Sequence, residues 1–124
     1  MSLHESAEMY LETIYTLSLS STSVRSIDVA EALNYSRPSV SRAVGMLKKD
    51  GYLLMDEDGF LSLTEDGRRV AERIYERHIV LAAALEALGV DRATAAEDAC
   101  KIEHDISDRS FEAVKAHMKT YMPK

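Results

Sequence analysis

The segment SRPSVSRAVGMLKKDGYLLMDEDGFLSL, residues 36–63, combines the sequence signals of a capped helix with those of a β-hairpin. Ser36 can cap a helix, and Pro38 stands in the first turn of that helix, where a missing backbone N–H leaves no hydrogen bond unmade. Asp50-Gly51 ends the helix. Its inward-facing residues recur at helical spacing: Val40, Val44 and Leu47. Two short apolar segments then flank a turn at Asp58-Gly59, which predicts a β-hairpin.

Two further helices precede this stretch. Apolar residues at helical spacing predict a first helix over roughly residues 4–19. Ser26 can cap a short second helix that ends near Leu33. Three helices followed by a hairpin is the order of a winged helix-turn-helix, which places its third helix in the major groove of DNA. The sequence therefore predicts a winged helix-turn-helix DNA-binding domain over residues 1–64.

The start of the third helix supplies the predicted DNA contacts: Ser36, Arg37, Pro38, Ser39, Ser41 and Arg42. Arg42 is predicted to contact a base, because its guanidinium fork matches guanine O6 and N7. The serines and Arg37 are predicted to hold phosphates. The chain has a net charge of −6, but residues 36–49 contain four basic residues and no acidic one. A local basic surface suits a double-stranded DNA operator, and an ordinary solvated helix face produces the same pattern.

The sequence of residues 65–124 predicts three more helices, which would form a helical dimerisation and metal-binding domain. The second half of the long helix, IVLAAALEAL at residues 79–88, is apolar on most sides, which indicates contact with a second subunit. Capping and terminating residues mark the expected boundaries: Thr64, Gly89, Asp91 or Thr94, and Ser107 or Asp108. The fold class is therefore mostly α.

Composition sets further limits. Apolar residues make up 46% of the 124 residues, which is enough for a core. No apolar run approaches the roughly 20 residues that cross a membrane, and no signal sequence is expected. Cys100 is the only cysteine, which excludes an internal disulfide and favours a cytoplasmic location. An enzyme is not expected, because there is no nucleophile–base pair, glycine-rich phosphate loop or HExxH motif.

The segment EDACKIEHDISD, residues 97–108, contains three side-chain types that bind transition metals. Cys100, Glu103 and His104 stand at positions i, i+3 and i+4 of a predicted helix and would share one face. The same sequence would also result if Cys100 were a buried, apolar residue and the neighbouring Glu-His pair had no role in metal binding.

Three residues elsewhere extend this candidate site. Met9 and Glu12 are three residues apart on the first helix, and His78 lies midway along the long helix. Each also has a structural explanation: Met9 as a core residue, Glu12 as a solvated residue and His78 as a hydrogen-bonded residue. The six candidates together predict a metal site.

Four segments, in the same order along the chain, resemble the metal-dependent repressors typified by the diphtheria toxin repressor and the manganese transport regulator. They are EMYLETIY (8–15), RPSVSRAVGMLKKDGYL (37–53), LTEDGRRVA (63–71) and ACKIEHDISD (99–108). The resemblance implies a homodimer that binds a palindromic operator controlling metal-uptake genes when it is loaded with Fe(II) or Mn(II). One or two ions per subunit are implied, held between the first helix and the dimer domain so that the metal sets the dimer geometry.

The resemblance also implies a ligand set. The ligands of the iron-responsive branch fall on Met9, Cys100, Glu103 and His104. The manganese branch adds positions that fall on Glu12 and His78. Thioether and thiolate favour Fe(II) over Mn(II), so Fe(II) is expected and Mn(II) is the alternative. A Cys100 that contributes only its backbone carbonyl would weaken this preference.

The chain departs from the family pattern at three places. Ala82 and Ala96 stand where the iron branch has second-site ligands, Arg42 stands where that branch has an amide, and a chain ending at Lys124 has no room for its SH3-like domain. Two other functions remain open from the sequence alone. The first is a metal-independent winged-helix transcriptional regulator, whose DNA affinity would not change when a chelator is added. The second is a helical adaptor protein, which would show no salt-dependent DNA binding.

Overall fold

The computed structural model describes residues 5–121, and within them six helices flank one two-stranded sheet. The elements are α1 (Glu5–Ser20), α2 (Ser26–Leu33), α3 (Arg37–Lys49), β1 (Leu53–Met55), β2 (Leu61–Leu63), α4 (Glu65–Ala87), α5 (Arg92–Ile102) and α6 (Asp108–Tyr121). The mostly-α class and the order of three helices, hairpin and three helices confirm the prediction. Among the described residues, no helix has the length and apolarity to cross a membrane.

The chain forms two compact units that divide between Glu72 and Arg73, inside α4. The core of the first unit is a set of buried side chains from α1, α2, α3 and the hairpin, among them Leu11, Ile14, Val29, Val40, Val44, Leu47, Leu53 and Leu61. The inward-facing residues predicted for α3 are therefore confirmed. The domain boundary predicted between residues 64 and 65 stays a prediction.

The hairpin is antiparallel, with Leu53 opposite Leu63 and Met55 opposite Leu61. The carboxylate of Asp56 closes the turn by accepting hydrogen bonds from the backbone N–H groups of Asp58 and Phe60, both at 2.9 Å. Gly59 has a φ of 85°, a left-handed conformation that glycine adopts at little energetic cost. The turn predicted at Asp58-Gly59 is confirmed.

Helix α3 starts as its sequence predicts. Ser36 is its N-cap, and the Ser36 hydroxyl accepts a hydrogen bond from the backbone N–H of Ser39 at 3.3 Å. Helix α2 corrects a prediction, because Ser26 is the first residue of that helix and Arg25 is its N-cap. The carboxylate of Asp28 accepts a hydrogen bond from the backbone N–H of Arg25 at 2.8 Å. An acidic side chain inside the helix therefore replaces the predicted serine cap.

The second unit contains the rest of α4 together with α5 and α6. Leu81, Ala99 and Phe111 are its buried cluster. Two residues of the alternative cap pairs form the N-caps. The Asp91 carboxylate caps α5 by accepting a hydrogen bond from the backbone N–H of Thr94 at 3.0 Å. The Ser107 hydroxyl caps α6 by accepting a hydrogen bond from the backbone N–H of Ser110 at 3.1 Å.

Candidate metal centre and nucleic-acid interface

Helix α4 supplies His78 to the second unit, and the end of α5 supplies Cys100 and Glu103. Helix α5 ends at Ile102, so Glu103 is its C-cap and His104 lies in the turn that follows. The expectation of one continuous helix through His104 is therefore corrected. Because Glu103 keeps helical dihedrals and its N–H donates to the carbonyl of Ala99 at 2.9 Å, the i, i+3 relation between Cys100 and Glu103 survives.

Three donor atoms of the second unit cluster: His78 Nδ1, Cys100 Sγ and a carboxylate oxygen of Glu103 all lie within 4.8 Å of one another. His78 Nδ1 is 2.9 Å from Glu103 Oε1 and 3.7 Å from Cys100 Sγ. His104 Nε2 lies 3.4 Å from the other carboxylate oxygen, Glu103 Oε2. The structure thus brings together four of the six predicted ligands.

This donor set fits a transition-metal ion. Donors that are each about 2.0–2.3 Å from a tetrahedral ion lie roughly 3–4 Å apart, which matches the separations around His78. The side chains of Glu103 and His104 are each only 1% exposed. A buried carboxylate needs a compensating positive charge, and a divalent ion held by His78, Cys100 and Glu103 would supply it.

Arg77 is a residue of this region that sequence reasoning missed. It is 4% exposed, and its guanidinium donates hydrogen bonds to the carbonyl oxygens of Glu103 at 3.1 Å and Ile106 at 2.7 Å and to the carboxylate of Asp108. A signal was present in the sequence, because Arg77 shares the helical spacing of the buried Ile74 and Leu81.

Met9 and Glu12 belong to α1 in the first unit, and both are half-buried. The hydroxyl of Tyr35 donates a hydrogen bond to Met9 Sδ at 3.5 Å, and the Tyr35 ring meets the edge of Tyr10 with ring centroids 6.0 Å apart. The thioether is thus accessible to a polar group, as a metal ligand must be. The metal-binding roles of Met9 and Glu12 remain predictions.

The predicted DNA-contacting residues form the first turns of α3. Arg37, Pro38, Ser41 and Arg42 are exposed. The Ser36 hydroxyl donates to the Ser39 hydroxyl at 2.9 Å, in addition to capping the helix. Burial raises the pKa of Tyr10, Tyr35 raises it further, and the positive charge of Arg42 opposes both effects.

The N-cap residue of α2, Arg25, places a further cation beside the hairpin of the same unit. Arg25 stacks on the ring of Phe60, with the guanidinium carbon 4.4 Å from the ring centroid. This cation–π contact holds a positive charge beside an otherwise acidic turn. The N-terminal half of the chain thus presents exposed cations on α3 and at the hairpin.

Comparison with known proteins assigns both halves of the chain. The family model "Iron dependent repressor, N-terminal DNA binding domain" matches residues 2–61, and "Iron dependent repressor, metal binding and dimerisation domain" matches residues 64–122. The chain belongs to the iron-dependent repressor family. Members of this family are metal-dependent transcriptional repressors and not enzymes, as the sequence predicted.

The relatives of this chain include the helix-turn-helix transcriptional regulator MntR of Lysinibacillus sphaericus, 36% identical over 88% of this chain and 78% of its own length. An uncharacterised helix-turn-helix regulator of Methanocaldococcus jannaschii is 32% identical over 98% of this chain and 99% of its own length.

Solved structures agree with this assignment. A manganese-dependent transcriptional repressor in complex with manganese superposes with a TM-score of 0.85 at 29% identity, over 91% of this chain and 52% of its own. The manganese regulator SloR superposes with a TM-score of 0.79 at 27% identity, over 96% of this chain and 55% of its own. The present chain thus spans about half the length of the proteins in these two structures.

Proposed function

We propose that this protein is a metal-activated repressor that binds a palindromic operator as a homodimer and controls metal-uptake genes. The observation that carries the proposal is the cluster of His78, Cys100 and Glu103, in a chain that belongs to the iron-dependent repressor family. Its DNA target would place it in the cytoplasm.

Fe(II) is the proposed ion, and Mn(II) is the alternative. Imidazole and thiolate donors favour the later first-row metals, so Cys100 Sγ supports Fe(II) over Mn(II). The similarity to the manganese regulator SloR and to a manganese-dependent transcriptional repressor supports the alternative. When bound, the ion supplies the positive charge that balances the buried Glu103 carboxylate. His78 and His104 would then act as neutral imidazole ligands, and one or two ions per subunit are proposed.

DNA binding is proposed for the exposed face of α3. Arg42 would contact a base, while Arg37, Ser41 and the Ser36–Ser39 cap would contact the DNA backbone. In a homodimer the two α3 helices would occupy half-sites about one helical turn, roughly 34 Å, apart. Metal binding would favour this arrangement by about 1–3 kcal/mol, the usual scale of coupling between two sites.

An anaerobic calorimetric titration with Fe(II) and Mn(II) tests the metal part of this proposal. Wild-type protein is compared with Cys100→Ala and with His117→Ala, a histidine of α6 outside the donor cluster. We expect Cys100→Ala to lower Fe(II) affinity at least about tenfold, equal to about 1.4 kcal/mol, and His117→Ala to leave it unchanged. Mn(II) binding that Cys100→Ala does not affect would assign the manganese alternative.

Operator binding is then measured by fluorescence anisotropy on DNA selected from a random pool, with the metal and with a chelator. We expect the metal to raise affinity between about 5-fold and 150-fold, and added salt to lower it. DNA binding that the chelator leaves unchanged would instead indicate a metal-independent winged-helix regulator.

A further inference from the structure

Arg77 connects α4 to the backbone segment that carries two predicted metal ligands. Its Nη1 atom donates to the carbonyl oxygen of Glu103 at 3.1 Å and to that of Ile106 at 2.7 Å, and its Nη2 atom donates to Asp108. The guanidinium carbon also lies 5.4 Å from the ring centroid of Phe111. One side chain thus holds both ends of the turn between α5 and α6.

This turn needs an external donor. Carbonyl groups at the C-terminal end of a helix have no partner within the helix, and the Glu103 carbonyl is at the end of α5. The planar guanidinium offers five N–H donors in a fixed fork, so a single arginine can satisfy several acceptors at set angles. The hydrogen bonds of Arg77 therefore restrain the backbone from Glu103 to Ile106.

The backbone segment that Arg77 restrains carries two of the predicted metal ligands. Glu103 is itself a predicted ligand, and His104 is the next residue. His78 follows Arg77 directly on α4, so the same helical turn supplies one ligand and the restraint on the other two. The guanidinium of Arg77 donates to two backbone carbonyls and to the Asp108 carboxylate, so its influence on the donor atoms passes through the backbone.

We propose that Arg77 is a positioning residue for the metal site, and that Asp108 holds its guanidinium in place. Arg77 sets the backbone angles at which Glu103 and His104 face His78 and Cys100, so metal affinity depends on it although it is not a ligand. This inference rests on the proposed function only in that the cluster binds a metal.

A purely structural role predicts a different result. If Arg77 only stabilised the fold, its replacement would lower the melting temperature, and the protein that remains folded would bind metal normally. The side chain of Asp108 is 83% exposed, so removing Arg77 does not leave the Asp108 carboxylate buried without a partner. Metal affinity of the folded fraction therefore separates the two roles.

The test is an anaerobic titration with Co(II), which reports thiolate ligation by Cys100 through a charge-transfer absorption band. Wild type, Arg77→Met and Arg77→Lys are compared below their melting temperatures, which are measured on the metal-free proteins. Partners that orient metal ligands typically change affinity about 10-fold to 100-fold, and this loss is expected for Arg77→Met. Arg77→Lys keeps the charge but not the fork, so we expect a smaller loss.

Arg73→Met is the matched control. Arg73 lies one turn earlier on α4, is 47% exposed, and approaches the same Asp108 carboxylate at 3.9 Å. Exposed ion pairs contribute little, so its Co(II) affinity should stay within about twofold of wild type.

Each outcome decides a different question. Wild type that does not bind Co(II) or Fe(II) would contradict the proposed function, and the inference with it. Wild type that binds, with a folded Arg77→Met of equal affinity, would overturn the inference alone. If Arg77→Met does not fold, Arg77→Lys and Asp108→Asn decide: weakened Co(II) binding in both supports the positioning role, and unchanged binding in both rejects it.

Discussion

Gly67 lies where α4 approaches the backbone just before the hairpin. A Cβ atom at this position would stand 2.1 Å from the carbonyl oxygen of Tyr52. The same corner is held by the Thr64 hydroxyl, which donates to the carbonyl of Gly51 at 2.7 Å and accepts from the backbone N–H of Gly67 at 3.1 Å. The start of α4 therefore packs directly on backbone atoms that cannot move aside.

Gly67→Ala should destabilise the first unit although alanine is the better helix former. Overpacking a close contact costs about 1–3 kcal/mol and alanine gains about 1 kcal/mol as the better helix former, so we expect a net destabilisation of up to about 2 kcal/mol. Gly45→Ala in α3 is the control, because nothing lies within 4 Å of the added Cβ, and it should stabilise by about 0.5–1 kcal/mol. Chemical denaturation followed by circular dichroism measures both, and equal effects would contradict the packing argument.

For single residues, the sequence predicts which side chains can bind a metal better than it predicts which residues contact one another. Cys100 and Glu103 were identified by their spacing, and helical geometry places that pair on one face. Arg77 was missed because an arginine in a helix usually contacts solvent, while its acceptors lie 26 to 31 residues further along the chain. No local pattern specifies contacts at such separations.

The starts of the helices are predicted correctly where the capping side chain bonds to a backbone group three residues further along the chain. Ser36, Thr64, Asp91 and Ser107 all cap the helix that follows them. The error at Ser26 has a physical reason, since either a hydroxyl before the helix or a carboxylate inside it can satisfy the first backbone groups. The sequence offers both, and only the geometry of the turn selects Asp28.

Helix α5, which carries Cys100, should lose stability in acid through its cap. Hydrogen bonds from the backbone and side chain of Thr94 lower the pKa of Asp91 below its ordinary value of 3.8. A group whose pKa is lowered by folding stabilises above its unfolded pKa, and this contribution disappears as the pH falls through its folded pKa.

Thermal unfolding of Asp91→Ala and Asp91→Asn at neutral and acidic pH measures this effect. Asp91→Ala should be less stable than wild type at neutral pH, and the two should converge in acid. Asp91→Asn should keep the cap hydrogen bond and lose only the part of the pH dependence that Asp91 contributes. Glu97→Gln removes an exposed carboxylate from the same helix. It should change neither the thermal stability at neutral pH nor the loss of stability in acid. A stability difference between Asp91→Ala and wild type that is the same at both pH values would reject the explanation.

At the scale of the whole molecule, the second unit exposes an apolar surface that one subunit does not cover. Leu88 is 81% exposed and Ile79 is 50% exposed. A groove of about 410 Å³ lies between the ends of α4 and α6, lined by Ala84, Ala87, Leu88, Ala113, Val114, His117 and Met118. Exposed apolar surface of this kind marks interaction sites, and the region matches a metal-binding and dimerisation domain.

The homodimer is therefore expected to depend on Leu88. A glutamate at this position would place a charge in the subunit contact, where burying it without a partner is strongly unfavourable. Analytical ultracentrifugation of Leu88→Glu should give a monomer near 13.8 kDa, whereas wild type should give twice that mass. Leu54→Glu changes an exposed leucine of β1, 58% exposed and outside the dimerisation region, and should remain a dimer.

Metal and DNA measurements on Leu88→Glu separate assembly from ligand binding. His78, Cys100 and Glu103 all come from one chain, so the monomer should still bind Fe(II) or Co(II). It should lose most of its affinity for the palindrome, because a single α3 occupies a single half-site and the second contact is no longer intramolecular. A monomer that keeps full operator affinity would show that repression does not need the two-fold symmetry, and a dimeric Leu88→Glu would assign the subunit contact to another surface.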